Sequence, residues 1–288
     1  MDRPPLGIIG GSGFYSMPGF SGQQTMDIET PFGRPSAPPV RGTIAGRPVV
    51  FLARHGIGHV FSPSTIPYRA NIWALKALGV RRVLAVSACG SLREDIHPCD
   101  LVVPDQIWDI TRRRASTFFD RSVVAHVSFA DPFCTALPEQ IGKAARELGT
   151  SMHLGGTYVC MEGPQLSTRA ESRVHRSLGM SVIGMTAAQE AKLAREAELC
   201  FGLIAAVTDY DVWFEGEEVT VEQVVANMSR NRESLERLLT RLVETVPDRS
   251  DCRCGSALAG AIISDVSAAD PDDVARLLPL IGRRIDQA

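Results

Sequence analysis

Apolar positions along the chain fall into two alternating patterns. Short, nearly unbroken apolar runs end in glycine or polar residues: Leu6-Gly7-Ile8-Ile9, Pro48 to Ala53, Val83 to Val86, Tyr158 to Met161, Val182-Ile183 and Cys200 to Val207. Runs of that kind predict buried strands. Between them the spacing widens to three and four, as at Ile72, Leu75 and Leu78. This predicts helices over about 67–78, 168–178, 187–198, 219–246 and 272–285. Ser64 or Thr65 stands near the start of the first helix and Gly79 stops it, while 247–255 reads as a connector.

Strands alternating with helices predict an α/β fold with a central mixed, mostly parallel β-sheet flanked by helices. One domain over residues 1–288 is expected, with a C-terminal helical extension from about residue 250. In such sheets ligands bind at the carboxyl ends of the strands. The residues expected there are Ser12, Arg54, His55, Ser87, Thr186, Asp209 and Asp211, all polar. Their convergence predicts an active site.

Each motif allows more than one chemistry. Gly10-Gly11-Ser12-Gly13 suits a tight turn or an oxyanion cradle; its spacing fits a dinucleotide fingerprint poorly. Arg54-His55 offers an arginine fork for phosphate, or a strand-end salt bridge. Ser87-Ala88-Cys89-Gly90-Ser91 offers small side chains and accessible amides, and Cys89 reads as a packed thiol rather than a nucleophile. Asp209 and Asp211, two apart, share one face of an extended segment. They could hold a metal, share a proton, or merely end a solvated strand.

Composition narrows the classes. The 288 residues are 44% hydrophobic and 22% charged, with a net charge of −3, so neither a nucleic-acid nor an acidic-membrane surface is expected. The N-terminus lacks a signal-peptide layout and no apolar run approaches a membrane span, which predicts a soluble, cytoplasmic protein. The seven cysteines are irregularly spaced. Cys252-Arg253-Cys254 reads first as two incidental thiols, because a metal site would offer a second ligand pair nearby; a redox or disulfide role is the alternative.

Taken together, Gly7–Gly13, Ala53–Gly56, Asn71–Leu75, Ser87–Glu94, Glu162–Gln165, Gly184–Thr186 and Thr208–Asp211 resemble, in order and spacing, the trimeric purine nucleoside phosphorylase family. The likeness runs from about residue 6 to 245. It implies the nucleoside phosphorylase fold and phosphorolysis, in which phosphate attacks C1′, the purine leaves and a pentose 1-phosphate forms. No metal or organic cofactor is implied, and phosphate is the co-substrate.

By the resemblance, phosphate lies among Ser12, Arg54, His55, Ser87, Ala88 and Thr186. The ribose sits by Met185, and the base packs near Ala88, Cys89 and Leu166. Asp209 holds a proton toward purine N7 and Asp211 orients the base. Ser167 and Asp209 stand where 6-oxopurine users carry glutamate and asparagine, which favours adenine; methylthioinosine or inosine is the alternative. Val221 and Val224 would wall an apolar 5′ pocket where 5′-hydroxyl users place a histidine, implying S-methyl-5′-thioadenosine as the substrate. His126 would reach that pocket from a neighbouring subunit of a trimer or dimer of trimers. Gln189 and Gly184, where relatives often carry proline and asparagine, are expected beside the purine.

Overall fold

The structure, a computed structural model, describes residues 3–11, 17–215, 220–248 and 251–282. Ser12 and Gly13, expected at the anion cradle, lie outside the described residues. The strands are β1 (Leu6–Gly10), β2 (Ser21–Thr25), β3 (Val40–Ile44), β4 (Arg47–Ala53), β5 (Arg82–Ser91), β6 (Leu101–Val103), β7 (Gln106–Asp109), β8 (Met152–Leu154), β9 (Thr157–Cys160), β10 (Val182–Gly184) and β11 (Cys200–Asp209). The helices are α1 (Tyr68–Ala77), α2 (Leu137–Leu148), α3 (Arg169–Ser177), α4 (Ala187–Glu196), α5 (Val221–Thr245) and α6 (Pro271–Ile281).

All the strands join one mixed, mostly parallel sheet, ordered β2-β3-β4-β1-β5-β10-β9-β7, with β11 on the other edge of β5 and β6 and β8 beyond it. Strand alternation sends successive side chains to opposite faces. Leu6 and Ile8 of β1 and Phe51 of β4 therefore enter one core with Ile141, Leu235 and Leu239, beneath α2 and α5. Ile9, Val50 and Leu52 enter the other, with Ile72, Leu75 and Ala191 of α1 and α4. The C-terminal α6 docks beside α1, where Trp73 Nε1 donates to the Arg276 carbonyl at 3.2 Å.

The branch at β5 creates the opening. On one edge β11 accompanies β5 from Arg82 to Gly90. On the other, β1 runs beside it only from Arg82 to Ala85, and β10 arrives antiparallel only at Gly90 and Ser91. Among the described residues no strand covers the edge from Val86 to Cys89. The serine-to-serine stretch 87–91, at which the strand Val83–Val86 is expected to end, is thus part of the strand itself. Its small side chains and main chain face a gap in the ladder, which is how the segment becomes accessible.

Helix α5 shows how the sequence prepares that gap. Its buried stripe is Asn227, Asn231, Leu235, Leu238, Leu239, Leu242 and Val243. Spacings of three and four keep these on one face. The stripe is apolar where it covers the core and amide-bearing where it crosses the end of β11. Its final carbonyls, of Val243 and Val246, accept from the buried Arg47 guanidinium at 2.9 and 2.6 Å, which satisfies a helix terminus that would otherwise lack partners.

Candidate active site

The gap opens into a cavity of ≈ 570 Å³, a size suited to a nucleoside-class ligand. Arg54, His55, Ser87, Ala88, Cys89, Leu166, Ser167, Met185, Thr186, Asp209, Asp211 and Val224 all line it, so most of the expected set meets in one place. Val221 does not: it is the first residue of α5 and 70% exposed, and the helix presents Val224, Val225 and Met228 instead. The physical reason is its place in the opening turn of the helix. His126 is also absent from the described lining; its amide donates to the Ala261 carbonyl at 2.8 Å.

One end of the cavity is built for an anion. Arg54 leaves β4 with its guanidinium buried, pairing through Nε and Nη2 with both oxygens of Glu190, the second at 2.9 Å. Nη1 donates to the Val86 carbonyl at 2.7 Å, the oxygen left bare where β1 stops accompanying β5. Burial alone would depress the Arg54 pKa, but the adjacent carboxylate overrides it and holds the arginine firmly charged. A guanidinium has five N–H bonds, so these three contacts leave donors for a phosphate. The salt-bridge and phosphate readings of Arg54 are therefore compatible. Beside it, Ser87 Oγ and Thr186 Oγ1 stand 3.3 Å apart, and Thr186 precedes α4 without a side-chain capping bond, leaving the helix's first amides and dipole to favour negative charge.

His55 is held in one tautomer. Its Nδ1 lies 2.8 Å from the Phe61 carbonyl, an acceptor only, so Nδ1 carries the hydrogen and Nε2 is left as an acceptor. Burial first, and then the charge of Arg54, lower its pKa to about 4. His59 stacks on the ring at 4.1 Å. A neutral imidazole cannot attract phosphate by charge. Its Nε2 can accept a hydrogen bond from the O–H of a hydrogenphosphate.

The other end is built around two acids. Along β11 the register passes from Val207 opposite Cys89 to Asp209 opposite Gly90, leaving Thr208 as the extra residue of a bulge. Such bulges re-aim the side chains that follow. The bulge is clamped from α5, where Asn227 Nδ2 donates to the Thr208 carbonyl at 2.6 Å and Asn231 Nδ2 to that of Val207 at 3.1 Å. Asp209 then accepts from the Thr208 hydroxyl at 2.6 Å and from the Asp211 amide at 2.8 Å. Asp211 takes a left-handed backbone, φ +52°. Gly90 makes the approach possible, since a Cβ there would lie 2.9 Å from Asp209 Oδ1 and 3.3 Å from Asp211 Cβ.

Both aspartates are buried, and burial raises the pKa of each. Asp211 lines the cavity while its Oδ2 is itself buried, and the Ser172 and Ser167 hydroxyls and the Val212 amide offset part of that burial. The solvated-strand-end reading of the pair is excluded by this burial. Cys89 is buried too, and burial with the nearby Asp209 pushes its thiol well above its ordinary pKa, so it packs rather than attacks.

Several features, in the site and beyond it, escape a reading by strand ends. Arg114, from a run of three arginines, donates to Glu162 Oε1, Gln189 Oε1 and the Met185 carbonyl, tying the loop before α3 to the start of α4. Gln189 faces this hub and also donates to Thr111 Oγ1 at 2.7 Å. It does not line the cavity, so its expected place beside the purine is corrected. Gly184 does line it, and the space a side chain would occupy there is filled by Tyr158: a Cβ would fall 2.0 Å from its hydroxyl oxygen. Finally, Cys252 and Cys254 do have a second pair nearby, because the fold brings Cys134 and Cys200 to them.

Residues 5–244 match the model of the phosphorylase superfamily. The chain is 50% identical over 279 residues to an S-methyl-5′-thioadenosine phosphorylase of Koribacter versatilis, covering 96% of each chain, and 48% identical to one of Geobacter sulfurreducens, covering 96% and 98%. Among solved structures, a methylthioadenosine phosphorylase from an antarctic soil metagenomic library superposes with a TM-score of 0.91 at 41% identity, covering 97% of this chain and 99% of that one. The Schistosoma mansoni methylthioadenosine phosphorylase in complex with adenine superposes with a TM-score of 0.82 at 34% identity, covering 99% and 100%.

Proposed function

The chain belongs to the phosphorylase superfamily and, within it, to the methylthioadenosine phosphorylases, and from that premise we propose that it cleaves S-methyl-5′-thioadenosine with phosphate. The products are adenine and 5-methylthioribose 1-phosphate. The observation that carries this reading is the pairing, in one cavity, of an anion end and a buried acid end at the two sides of a single strand gap.

Phosphate sits between Arg54, Ser87, Ala88 and Thr186, its own O–H donating a hydrogen bond to His55 Nε2. By the resemblance Ser12 would belong to the same group. The anion lies against the sugar as positive charge develops at C1′, and the preorganised donors need no rearrangement at that moment. Cleavage of the C1′–N9 bond sends its electron pair into the purine. Burial raises the Asp209 pKa and so favours its protonated form; from that form the carboxyl passes its proton to N7 and the base leaves neutral. Asp211, on the cavity wall, accepts from the 6-amino group. Ser167 in place of a glutamate removes the group that would hold a 6-oxopurine.

Val224, Val225 and Met228 give the 5′ end an apolar wall, suited to a methylthio group. A hydroxyl there would forgo a hydrogen bond, at a cost of roughly 1–3 kcal/mol. The assembly completes the pocket: His126, remote from its own cavity, reaches a neighbour's in a trimer or dimer of trimers. Purine and methionine salvage in the cytoplasm is the setting that follows, and among the described residues no helix is long and apolar enough to cross a membrane.

The decisive experiment is a substrate panel with and without phosphate. Adenine release from methylthioadenosine should require phosphate; release without it would make the protein a hydrolase and sink the proposal. Matched 6-amino and 6-oxo nucleosides should show the 6-amino preference in kcat/KM. A 6-oxo preference would transfer the reading to methylthioinosine or inosine.

A further inference from the structure

We propose that Cys134, Cys200, Cys252 and Cys254 form a tetrathiolate site for a divalent cation of the zinc class, tying the C-terminal segment to the core. The four sulfurs lie within 4.8 Å of one another, and those of Cys200 and Cys252 are 3.4 Å apart. A tetrahedral zinc with bonds of about 2.3 Å spaces its sulfurs at roughly 3.8 Å, so modest side-chain adjustment seats the ion. The donor set is purely soft, with no carboxylate or imidazole in the cluster, which selects zinc over magnesium or calcium.

The ligands come from three separate parts of the chain. Cys134 precedes α2 and is fixed by its amide to the Phe201 carbonyl at 2.8 Å; Cys200 opens β11, with its amide on the Arg81 carbonyl at 3.0 Å. Cys252 and Cys254 come from the connector, and Cys254 begins a short 3-10 turn. Two ligands from the rigid sheet layer and two from the segment that follows α5 make a staple.

Access also fits. A cleft of ≈ 500 Å³ lined by Cys200 and Cys252 leads in from solvent, its walls carrying Lys76, Arg81 and Arg82 balanced by Glu198, Asp248 and Asp251. Binding transfers the thiol protons to solvent, so occupancy rises with pH. The cluster lies at the opposite end of β11 from the aspartates, and nothing in this proposal depends on the reaction catalysed.

The test is metal analysis of the full chain purified with reductant and supplied with zinc. One zinc per chain is expected, falling to well below half occupancy in Cys134→Ser and Cys254→Ser and unchanged in Cys99→Ser. Because those variants may lose their fold, cobalt is also exchanged into the unaltered chain, where thiolate-to-cobalt charge transfer and tetrahedral d–d bands should appear in step with one equivalent. Metal-free protein, zinc retained in full by folded Cys254→Ser, or an intact mass showing two disulfides in place of metal would each overturn the proposal.

Discussion

The two ends of β11 carry opposite solutions to the same problem, a polar or reactive group placed in a fully buried strand. At the amino end, Cys200 is gathered with three other sulfurs beside a cleft that opens to solvent. At the carboxyl end, Asp209 and Asp211 are buried against a cavity, beside an edge that no strand among the described residues covers. Like donors drawn from distant segments suit a staple, whereas acids set into a cavity wall suit a site. The difference lies in the local backbone: regular ladder around Cys200, and a bulge at Thr208 held by two asparagines around the acids.

Breaking the open end should produce the largest effect. Asp209→Asn removes the proton for N7 and should lower kcat by about 10²–10⁴-fold, while calorimetry shows phosphate affinity close to the parent's. Equal turnover in the variant would take Asp209 out of the proton transfer. Next comes a pair of glycine substitutions, one at each end. Gly90→Ala places a Cβ against the acid pair and should cost ~1–3 kcal/mol of stability together with activity. Gly255→Ala, beside Cys254, meets nothing within 4 Å and should leave denaturation midpoint and turnover nearly unchanged. Similar losses at both would show that the two ends are equally tight.

A smaller change is expected from Val224→His on the cavity wall. A new polar partner for a 5′-hydroxyl should shift the methylthio-to-hydroxyl discrimination by ~1 kcal/mol, read as a ratio of kcat/KM values. An unmoved ratio would place the 5′ pocket elsewhere.

The smallest effect concerns pH, and the two ends of the molecule again differ in sign. Glu196 closes α4 near the amino end of β11, and burial raises its pKa to about 7 despite hydrogen bonds from Phe118 and Thr117. A raised folded pKa gives stability that is fully present below about 4.5 and lost as pH rises through about 7. His55, lowered to about 4, does the reverse: its contribution is present above about 6.5 and fades as pH falls through about 4. Thermal melts of Glu196→Gln across this range should lose the first trend and keep the second. A parallel pH profile for parent and variant would assign the trend to other groups.

Much of this was legible in the chain. The apolar runs located β1, β4, β10 and β11, and the three-and-four spacing located α1, α3, α4 and α5 to within a few residues. Helix α2 is absent from the predicted helices although its buried stripe, Leu137, Ile141, Gly142, Ala144 and Ala145, is clearly segregated from its charged face, so its signal was present in the chain and unused. The short strands β6, β7 and β8 are too brief for alternation to register. For the site, reasoning from strand ends found Arg54, His55, Ser87, Thr186 and both aspartates. It could not find Arg114, whose role is a set of loop contacts far apart in sequence, nor pair Cys252 with Cys134 and Cys200. Only the fold converts such separations into neighbours.

Gly184 and Tyr158 give the site a further property, one that concerns how it can change. The phenol of Tyr158, wholly buried, occupies the volume a side chain at position 184 would need. Neither position can therefore be altered alone: a residue larger than glycine at 184 has nowhere to go, and truncation of Tyr158 leaves a void beside Thr186 and Ser87. The two residues form a single inherited unit. Grafting an asparagine from a relative onto position 184 should fail singly and succeed only when Tyr158 is shortened in the same chain, so the route from one base preference to another crosses a valley rather than a slope.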